Sequence, residues 1–390
     1  MRTLIVSDLH LGSNSRADLL RGPEVREALF TELREADRLV LLGDILELRH
    51  GPLREAMAAA RPFFEALGAA LGERELVLTA GNHDHALVEP WLEGRGGDPD
   101  PPALAPQQLI EPADASPAIA TIADWVGRSG RGPVRVAYPG LWVRPDVYAM
   151  HGHYLDCHLT IPTLERLSVG VMSRVLGRPA SAFDRVEDYE AMGAPVFAWR
   201  DAVARYAHTG AALNGMATVS AWQALGGGSN GDRPGKAGRR SRATLVRAAR
   251  RRAIVLGFPV AVAALNRAGI GPLRADISRD ELRRAGLVAM GEVASRIGLG
   301  DAYVVFGHTH RPGPLDGDAP EEWRGAGGAR LVNSGSWTYA SIFLRRTAAE
   351  SPYWPGGCVV VDDAKPDAAP EVRRLLQSFT REQLRPSRAR

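Results

Sequence analysis

Side chains that can bind a metal ion follow short apolar runs at several places in this sequence. The clearest case is Gly81-Asn82-His83-Asp84, directly after the apolar run 76–79. Carboxylate, amide and imidazole groups suit hard or borderline divalent cations, and no thiolate is among them. The pattern recurs after four other apolar runs. The residues there are Asp8 and His10, Asp44, His151, and His308 and His310.

Such a set of ligands points to a particular kind of chemistry. Two divalent ions that share one carboxylate can activate a water molecule between them and stabilise the attacking and leaving oxygens of a displacement. A bound metal also lowers the pKa of water from 15.7 toward about 7, which makes hydroxide available at neutral pH. These residue types therefore predict a hydrolase with a metal centre.

The elements that must bring these residues together can be read from the periodicity of the sequence. The apolar runs 3–7, 39–42 and 76–79 read as buried strands, and helical patterns over 23–36 and 53–71 separate them. This alternation predicts βαβ units and a largely parallel sheet. The carboxyl ends of parallel strands meet at one edge, where open α/β sheets bind their ligands.

The rest of the chain divides into regions that differ in the periodicity of their apolar residues. We expect a loop over 94–117, strands at 134–137, 141–143 and 147–150, and further strands at 303–306, 330–332 and 358–361. Helical periodicity dominates from 155 to 298. The sequence thus predicts an α/β core formed by residues 1–154 and 299–365, a helical insertion or cap at 155–298, and a flexible tail at 366–390.

Composition restricts the class of protein. The 390 residues are 45% apolar and 24% charged, with a net charge of +3, which is typical of a globular protein with a sizeable core. Two cysteines, Cys157 and Cys358, provide no disulfide framework and favour a reducing compartment. No signal peptide and no apolar run of about 18 residues is present. We therefore expect a cytoplasmic protein.

One stretch of the insertion leaves three interpretations open. Residues 233–252 contain nine basic residues and no acidic residue, and the apolar run 253–262 follows. This combination suits peripheral contact with an anionic membrane surface or a phosphorylated lipid. It also suits nucleic-acid phosphates. The third interpretation is a buried cap helix in an arginine-rich chain.

Taken in order, the motifs Asp8-Leu9-His10, Gly43-Asp44, Gly81-Asn82-His83-Asp84, His151-Gly152 and Gly307-His308-Thr309-His310 resemble those of the calcineurin-like metallophosphoesterase superfamily. The resemblance covers about residues 1–155 and 300–362. It implies a four-layer α/β/β/α sandwich and two divalent metal ions, with Mn²⁺ the first expectation and Fe, Zn, Co or Ni as alternatives. Asn333-Ser334-Gly335-Ser336 resembles a late turn of the same superfamily.

The resemblance also assigns roles to these residues. It implies that Asp44 bridges the two ions, that His83 contacts the scissile phosphate and protonates the leaving oxygen, and that Asp84 orients His83. Arg49, His50 and His153 are left with two interpretations each, substrate contact or an ordinary structural place. The implied ligands are Asp8, His10, Asp44 and His310 for one ion, and Asp44, Asn82, His151 and His308 for the other.

The predicted activity is hydrolysis of a phosphate ester or pyrophosphate in a lipid- or nucleotide-linked substrate. The UDP-diacylglucosamine hydrolases are the most similar subgroup, because they share Gly-His-Thr-His-Arg-Pro and a helical insertion after His151-Gly152. They differ in having Arg where His83 stands and Asp where His153 stands. The alternatives are a nuclease or phosphodiesterase acting on nucleic acid, and a non-catalytic scaffold.

Overall fold

The structure is a computed structural model that describes residues 1–95, 102–206, 259–276 and 278–386. The strands are β1 (Arg2–Val6), β2 (Arg38–Leu42), β3 (Glu75–Thr79), β4 (Gln107–Ile110), β5 (Val134–Arg144), β6 (Val147–Met150), β7 (Tyr303–Phe306), β8 (Arg330–Asn333), β9 (Gly357–Asp362) and β10 (Glu371–Arg374). The helices are α1 (Pro23–Leu33), α2 (Leu53–Leu71), α3 (Glu89–Arg95), α4 (Pro112–Ala115), α5 (Pro117–Gly127), α6 (Leu164–Leu176), α7 (Val186–Tyr206) and α8 (Arg279–Arg296), and residues 259–267 are also helical.

The strands run in the order β10-β9-β1-β2-β3-β5-β6-β7-β8, with β4 paired to β5. As expected, β1, β2 and β3 are parallel neighbours. The long strand β5 pairs with β3 and β4 along its first part and with β6 along its last. It therefore joins two sheets, one around β1 and one around β7.

Three apolar cores define the layers. Residues from both sheets, such as Ile5, Val40, Ala149, Val305 and Val332, pack together in the core between the sheets. A second core lies between the β1 sheet and helices α1, α2 and α5, and a third between the β7 sheet and α8. Strands such as β2 are consequently buried along their whole length. This is the four-layer α/β/β/α architecture that the sequence predicts.

Two local predictions are wrong. The residues 134–137 and 141–143, which the sequence analysis assigned to separate strands joined by a turn at Pro139-Gly140, belong to the continuous 11-residue strand β5. A Cβ atom at Gly140 would overlap the Ala149 carbonyl and the Tyr148 ring of the adjacent strand, so this glycine permits close approach of strands. The expected loop at 94–117 contains β4, whose residues pair antiparallel with β5.

The predicted insertion extends too far at its C-terminal end. Strands β6 and β7 are parallel neighbours, so the chain between them must cross over the sheet, usually through a helix. Helix α8 makes this crossover, and its Met290 and Val293 are buried in the core on the β7 sheet. Residues 279–298 thus belong to the sandwich. The basic stretch 233–252 lies outside the described residues.

The tail also differs from the prediction of a flexible segment. Strand β10 extends the sheet by pairing antiparallel with β9. Beyond it, Leu376 and Leu384 are buried in the core that contains α1 and α2. Because the tail is rich in arginine and proline, its composition did not indicate that these two leucines are buried. Across the described residues, the helices lack the combination of length and apolar character needed to cross a membrane.

Burial of Leu384 gives a test of the ordered tail. Leu384→Ala should lower the free energy of unfolding by about 2–4 kcal/mol, because it removes buried methyl groups and leaves a cavity. Arg385→Ala, a change at the exposed next position, serves as the control and should change it by less than about 0.5 kcal/mol. Urea unfolding measures both, and equal stability of the two variants would contradict the buried tail.

Candidate metal centre

The residues of metal-ligand type meet at one edge of the sandwich. Their segments follow β1, β2, β3, β6 and β7, whose carboxyl ends lie together because β1–β3 and β6–β7 are parallel sets. The backbone turns sharply there into a left-handed conformation that non-glycine residues adopt at a cost. The residues with this positive φ are Asp8 (56°), His10 (46°), Asp44 (49°), His308 (63°) and His310 (61°).

The first group of ligands consists of Asp8, His10 and His310. His310 Nε2 lies 3.1 Å from Asp8 Oδ1 and 3.4 Å from His10 Nε2. The other oxygen of Asp8 accepts hydrogen bonds from the Ser7 hydroxyl at 2.5 Å and from the His308 backbone at 3.0 Å. Within the described part of the chain, the buried Asp8 Oδ1 accepts no hydrogen bond. A cation at this position would satisfy it.

The second group consists of Asp44, Asn82, His151 and His308. The Asn82 carboxamide oxygen lies 3.3 Å from His151 Nε2, and Asp44 Oδ2 lies 3.4 Å from the same nitrogen. Asp44 Oδ2 and His308 Nδ1 are also 3.3 Å from the carboxamide oxygen. Turned over, the Asn82 amide would instead donate to these atoms and accept from Arg49. A divalent cation favours the first orientation, because it needs the oxygen as a ligand.

Asp44 lies between the two groups. Its Oδ2 atom is 3.6 Å from His10 Nε2 of the first group and 3.4 Å from His151 Nε2 of the second. Its Oδ1 atom accepts a hydrogen bond from the His83 backbone N–H at 2.8 Å. This carboxylate is therefore placed to contact ions in both groups. The residues present fit two divalent cations that share one ligand.

Each histidine of the centre has one ring nitrogen held from outside and the other directed at the ligand groups. Such outer contacts fix the tautomer and the ring orientation of metal-binding histidines. The outer contacts are His10 Nδ1 with Glu47 (3.1 Å), His151 Nδ1 with the Leu42 carbonyl (3.0 Å), His308 Nε2 with Asp156 (3.1 Å) and His310 Nδ1 with the Thr338 hydroxyl (3.4 Å).

The candidate catalytic residue His83 lies beside the centre, with its ring edge-on to His10. Its Nδ1 atom is 3.0 Å from Glu47, and its Nε2 atom accepts from Arg49 Nη1 at 2.9 Å. Burial and the Arg49 charge lower the His83 pKa to about 4, although Glu47 and Asp44 oppose this shift. With this arrangement Nδ1 can donate to Glu47 while Nε2 accepts from Arg49.

The structure differs from the predicted role of Asp84. Its carboxylate does not contact His83 but accepts from the backbone N–H groups of Gly81, Ile45 and Leu46. Asp84 therefore ties the Asn82 loop to the Asp44 loop. Burial and the Asp44 charge raise its pKa to about 6, against these hydrogen bonds. Glu47 makes the contact with His83 that the sequence interpretation assigned to Asp84.

Charge in the centre is balanced among buried groups. Burial would raise the pKa of Asp8, but the neighbouring His310 and His151 outweigh it and lower the pKa to about 2. Burial opposes protonation of His10 and His151, yet Glu47 and Asp44 at His10, and Asp44 and Asp8 at His151, raise each pKa to about 9. Since metal binding requires neutral imidazoles, bound cations would take the place of these protons.

Three residues with open interpretations now have defined surroundings. Arg49 is buried, and its guanidinium also donates to the Asn82 carbonyl at 2.9 Å, which excludes a solvated loop. His50 lies within 3.3 Å of the Ser13 hydroxyl and lines the cavity described below. His153 is buried, packs against Tyr154 and Phe197, and does not line that cavity.

Sequence reasoning missed the two acidic residues that hold the histidines. Glu47 stands three positions after Asp44, and an acidic residue so close to a candidate ligand was a usable signal. Asp156 follows His151 by five residues. The sequence spacing does not indicate that Asp156 contacts His308, because the two residues are far apart in the chain.

A cavity of about 970 Å³ opens above the centre. Its floor contains Asp44, Asn82, His83 and His308, while its walls are largely apolar. The lining residues come from the turn after β6, from α8, from the chain after β8 and from the C-terminal segment. The wall residues include Leu155, Leu159, Leu282, Leu287, Trp323, Tyr339, Ile342, Phe343, Tyr353, Arg381 and Arg385.

A four-layer sandwich that carries aspartate, asparagine and histidine ligands at its strand ends belongs to the class of metal-dependent hydrolases. The family model of the calcineurin-like phosphoesterases matches residues 1–180, and this part of the chain belongs to that family. Its members hydrolyse phosphoesters with divalent metal ions. No curated protein matches the sequence, so the similarity to UDP-diacylglucosamine hydrolases stays a prediction.

Glu47 provides a direct test of the outer contacts. Glu47→Ala removes the carboxylate that holds both His10 and His83, so divalent metal affinity should fall by about 10- to 100-fold. Calorimetric titration with Mn²⁺ measures the change. The control is Glu55→Ala, at an exposed position on α2, which should bind like the wild type. Unchanged affinity of the Glu47 variant would show that Glu47 does not support the centre.

Proposed function

We propose that this protein hydrolyses phosphate diesters or pyrophosphates that carry a large organic group, with two divalent metal ions. Asp8, His10, Asp44 and His310 would hold one ion; Asp44, Asn82, His151 and His308 would hold the other. The observation that carries the proposal is the convergence of these side chains on the shared Asp44 carboxylate at the floor of a cavity. Their oxygen and imidazole ligands suit Mn²⁺.

When bound, the ions would activate water and neutralise charge on the phosphoryl oxygens. The chain itself would position the substrate around them. His83 lies at the edge of the centre, with its ring fixed by Glu47 on one side. Arg49 presents a buried guanidinium to His83 Nε2, and a substrate phosphate entering there would meet both groups. Arg49 would thus bind the phosphate, and His83 would contact the leaving oxygen.

The cavity supports the proposal of a large substrate. A volume of about 970 Å³ is at the upper end of the range for small-molecule sites and far exceeds that of a phosphate group. Leucines of the β6 turn and of α8 line it together with aromatic residues from the chain after β8. A lipid- or nucleotide-linked phosphate has both the anionic and the apolar parts that this cavity would accommodate.

Model substrates test the reaction. With Mn²⁺, the protein should hydrolyse bis(p-nitrophenyl) phosphate, and chelation should abolish the activity until metal is restored. A substrate phosphate that took over the Arg49 contact would free His83 Nε2 to carry a proton to the leaving oxygen. His83→Ala should then lower kcat by about 10²- to 10⁴-fold, the usual contribution of a positioned acid–base group, while binding of two ions is retained. The control variant His158→Ala removes a histidine that contacts Tyr189, away from the ligand groups; it should keep kcat.

The outcomes distinguish the alternatives. Hydrolysis of p-nitrophenyl phosphate alone would indicate a monoesterase and contradict the proposed substrate class. Faster cleavage of oligonucleotides than of any small diester would favour the nuclease alternative. Retained activity in Asp44→Ala and His83→Ala variants would exclude this centre as the site of the reaction. Metal binding with no hydrolysis of any phosphate compound would favour a scaffold.

The apolar wall yields a second test. In a series of p-nitrophenyl alkyl phosphates, Leu282→Ala should lower kcat/KM about tenfold for long alkyl chains and leave the methyl ester unaffected, because only long chains reach the wall. Val288→Ala on the same helix is the matched control, since Val288 is 71% exposed and does not line the cavity. A loss independent of chain length would argue against the wall as the substrate contact.

A further inference from the structure

Glu190, on helix α7, is a buried carboxylate with three hydrogen-bond donors. It accepts from the Tyr138 hydroxyl at 2.6 Å and from the Tyr154 hydroxyl, and its other oxygen lies 3.0 Å from His85 Nε2. The donors come from three separate segments of the sandwich. Helix α7 itself lies in the region that the sequence assigned to the insertion. One side chain of the insertion therefore ties several core segments together.

Two of these donors are close in sequence to metal ligands. His85 lies three residues after Asn82, in the same loop after β3. Tyr154 lies three residues after His151, in the turn that also contains Asp156. Asp156 in turn holds His308 Nε2 at 3.1 Å. Glu190 is thus linked to Asn82 through the loop that contains His85. It is linked to His151 and His308 through the turn that contains Tyr154 and Asp156.

The first ligand group depends on other contacts. Asp8 is held by the Ser7 hydroxyl and the His308 backbone, His10 by Glu47, and His310 by Thr338. The hydrogen bonds and ion pairs described for Glu190 involve none of these outer partners. The two groups therefore share the Asp44 carboxylate and the contact of the His308 backbone with Asp8, whereas Ser7, Glu47 and Thr338 support the first group without contacting Glu190.

We propose that Glu190 is a positioning residue for the metal ion held by Asp44, Asn82, His151 and His308, and that it affects this ion more strongly than the other. The proposal rests on the proposed function, which supplies the second ion. Loss of the carboxylate would leave two tyrosine hydroxyls and a histidine without their buried partner, which is costly. The loop with His85 and the turn with Tyr154 would then shift, and the second group would lose its geometry.

The experiment counts metal ions. Wild-type protein, Glu190→Gln and Glu190→Ala are titrated with Mn²⁺, and bound metal is measured by atomic absorption and by the electron paramagnetic resonance signal of a coupled manganese pair. The wild type should bind two ions with a coupled signal. Each Glu190 variant should retain one tight ion, bind the other about 10- to 100-fold more weakly, and lose the coupled signal.

Asp188→Asn is the matched control. Asp188 is buried on the same helix, but it accepts from the backbone of Asp184 and Arg185 and pairs with Arg178, away from the metal-bearing loops. This variant should lose stability and still bind two ions. Tyr154→Phe retains the fold while removing one donor. Tyr154→Phe should also weaken binding of the second ion. If the Glu190 variants fail to fold, this variant provides the test.

Four results would overturn the inference. Folded Glu190 variants that bind two ions as the wild type does would overturn the inference and leave the proposed function intact. If the Glu190 variants bound both ions more weakly to the same extent, Glu190 would have only a structural role, and the inference would be overturned. The same holds if Asp188→Asn weakened binding of the second ion as much as the Glu190 variants do. Fewer than two ions in the wild type would overturn the proposed function itself, together with this inference.

Discussion

The buried Asp44 carboxylate is the constraint on which the rest of the centre depends. It lies among imidazole nitrogens of both ligand groups, at 3.4–3.6 Å from His151 and His10, and only 1% of the residue is exposed. Charged groups in such surroundings are stable only with partners of opposite charge. Protons on histidines supply that charge without metal, and cations would supply it better because they satisfy several lone pairs at once. The centre is thus built around negative charge that requires a counterion.

Backbone geometry at the strand ends follows from this requirement. Ligand residues adopt positive φ angles so that neighbouring side chains turn toward one point, and hydrogen bonds from adjacent loops hold these unfavourable turns. Asp84 binds three backbone N–H groups across the Asp44 and Asn82 loops. Asn333 likewise donates to the Gly307 carbonyl at 2.8 Å. A Cβ at Gly307 would overlap Ser7 and the Asp8 carboxylate, so the close approach of these loops requires glycine there.

The sequence predicted the parts of this structure that local patterns determine. Buried strands of parallel sheets are apolar throughout and end in polar residues, so β1, β2, β3 and β7 and the candidate ligands that follow them were recognisable. Contacts between residues that are distant in the sequence could not be recognised in this way. The family resemblance implied that Asp84 is the partner of His83, yet Glu47 from another loop fills that place. Similarly, helical periodicity alone could not separate α8, which covers a sheet, from the helices that precede it.

The position of α8 changes how the region between β6 and β7 should be understood. A cap that only closed over a substrate could move as a unit without disturbing the metal ligands. Here the two ends of the region are part of the sandwich: Asp156 near its start holds His308 beyond its end, and α8 covers the sheet that bears both histidine motifs. Glu190 on α7 adds a contact to the loop after β3. The region that lines the cavity therefore also contacts the segments that carry the candidate ligands. If these segments bind metal, we expect changes in its helices to alter substrate fit and metal binding together.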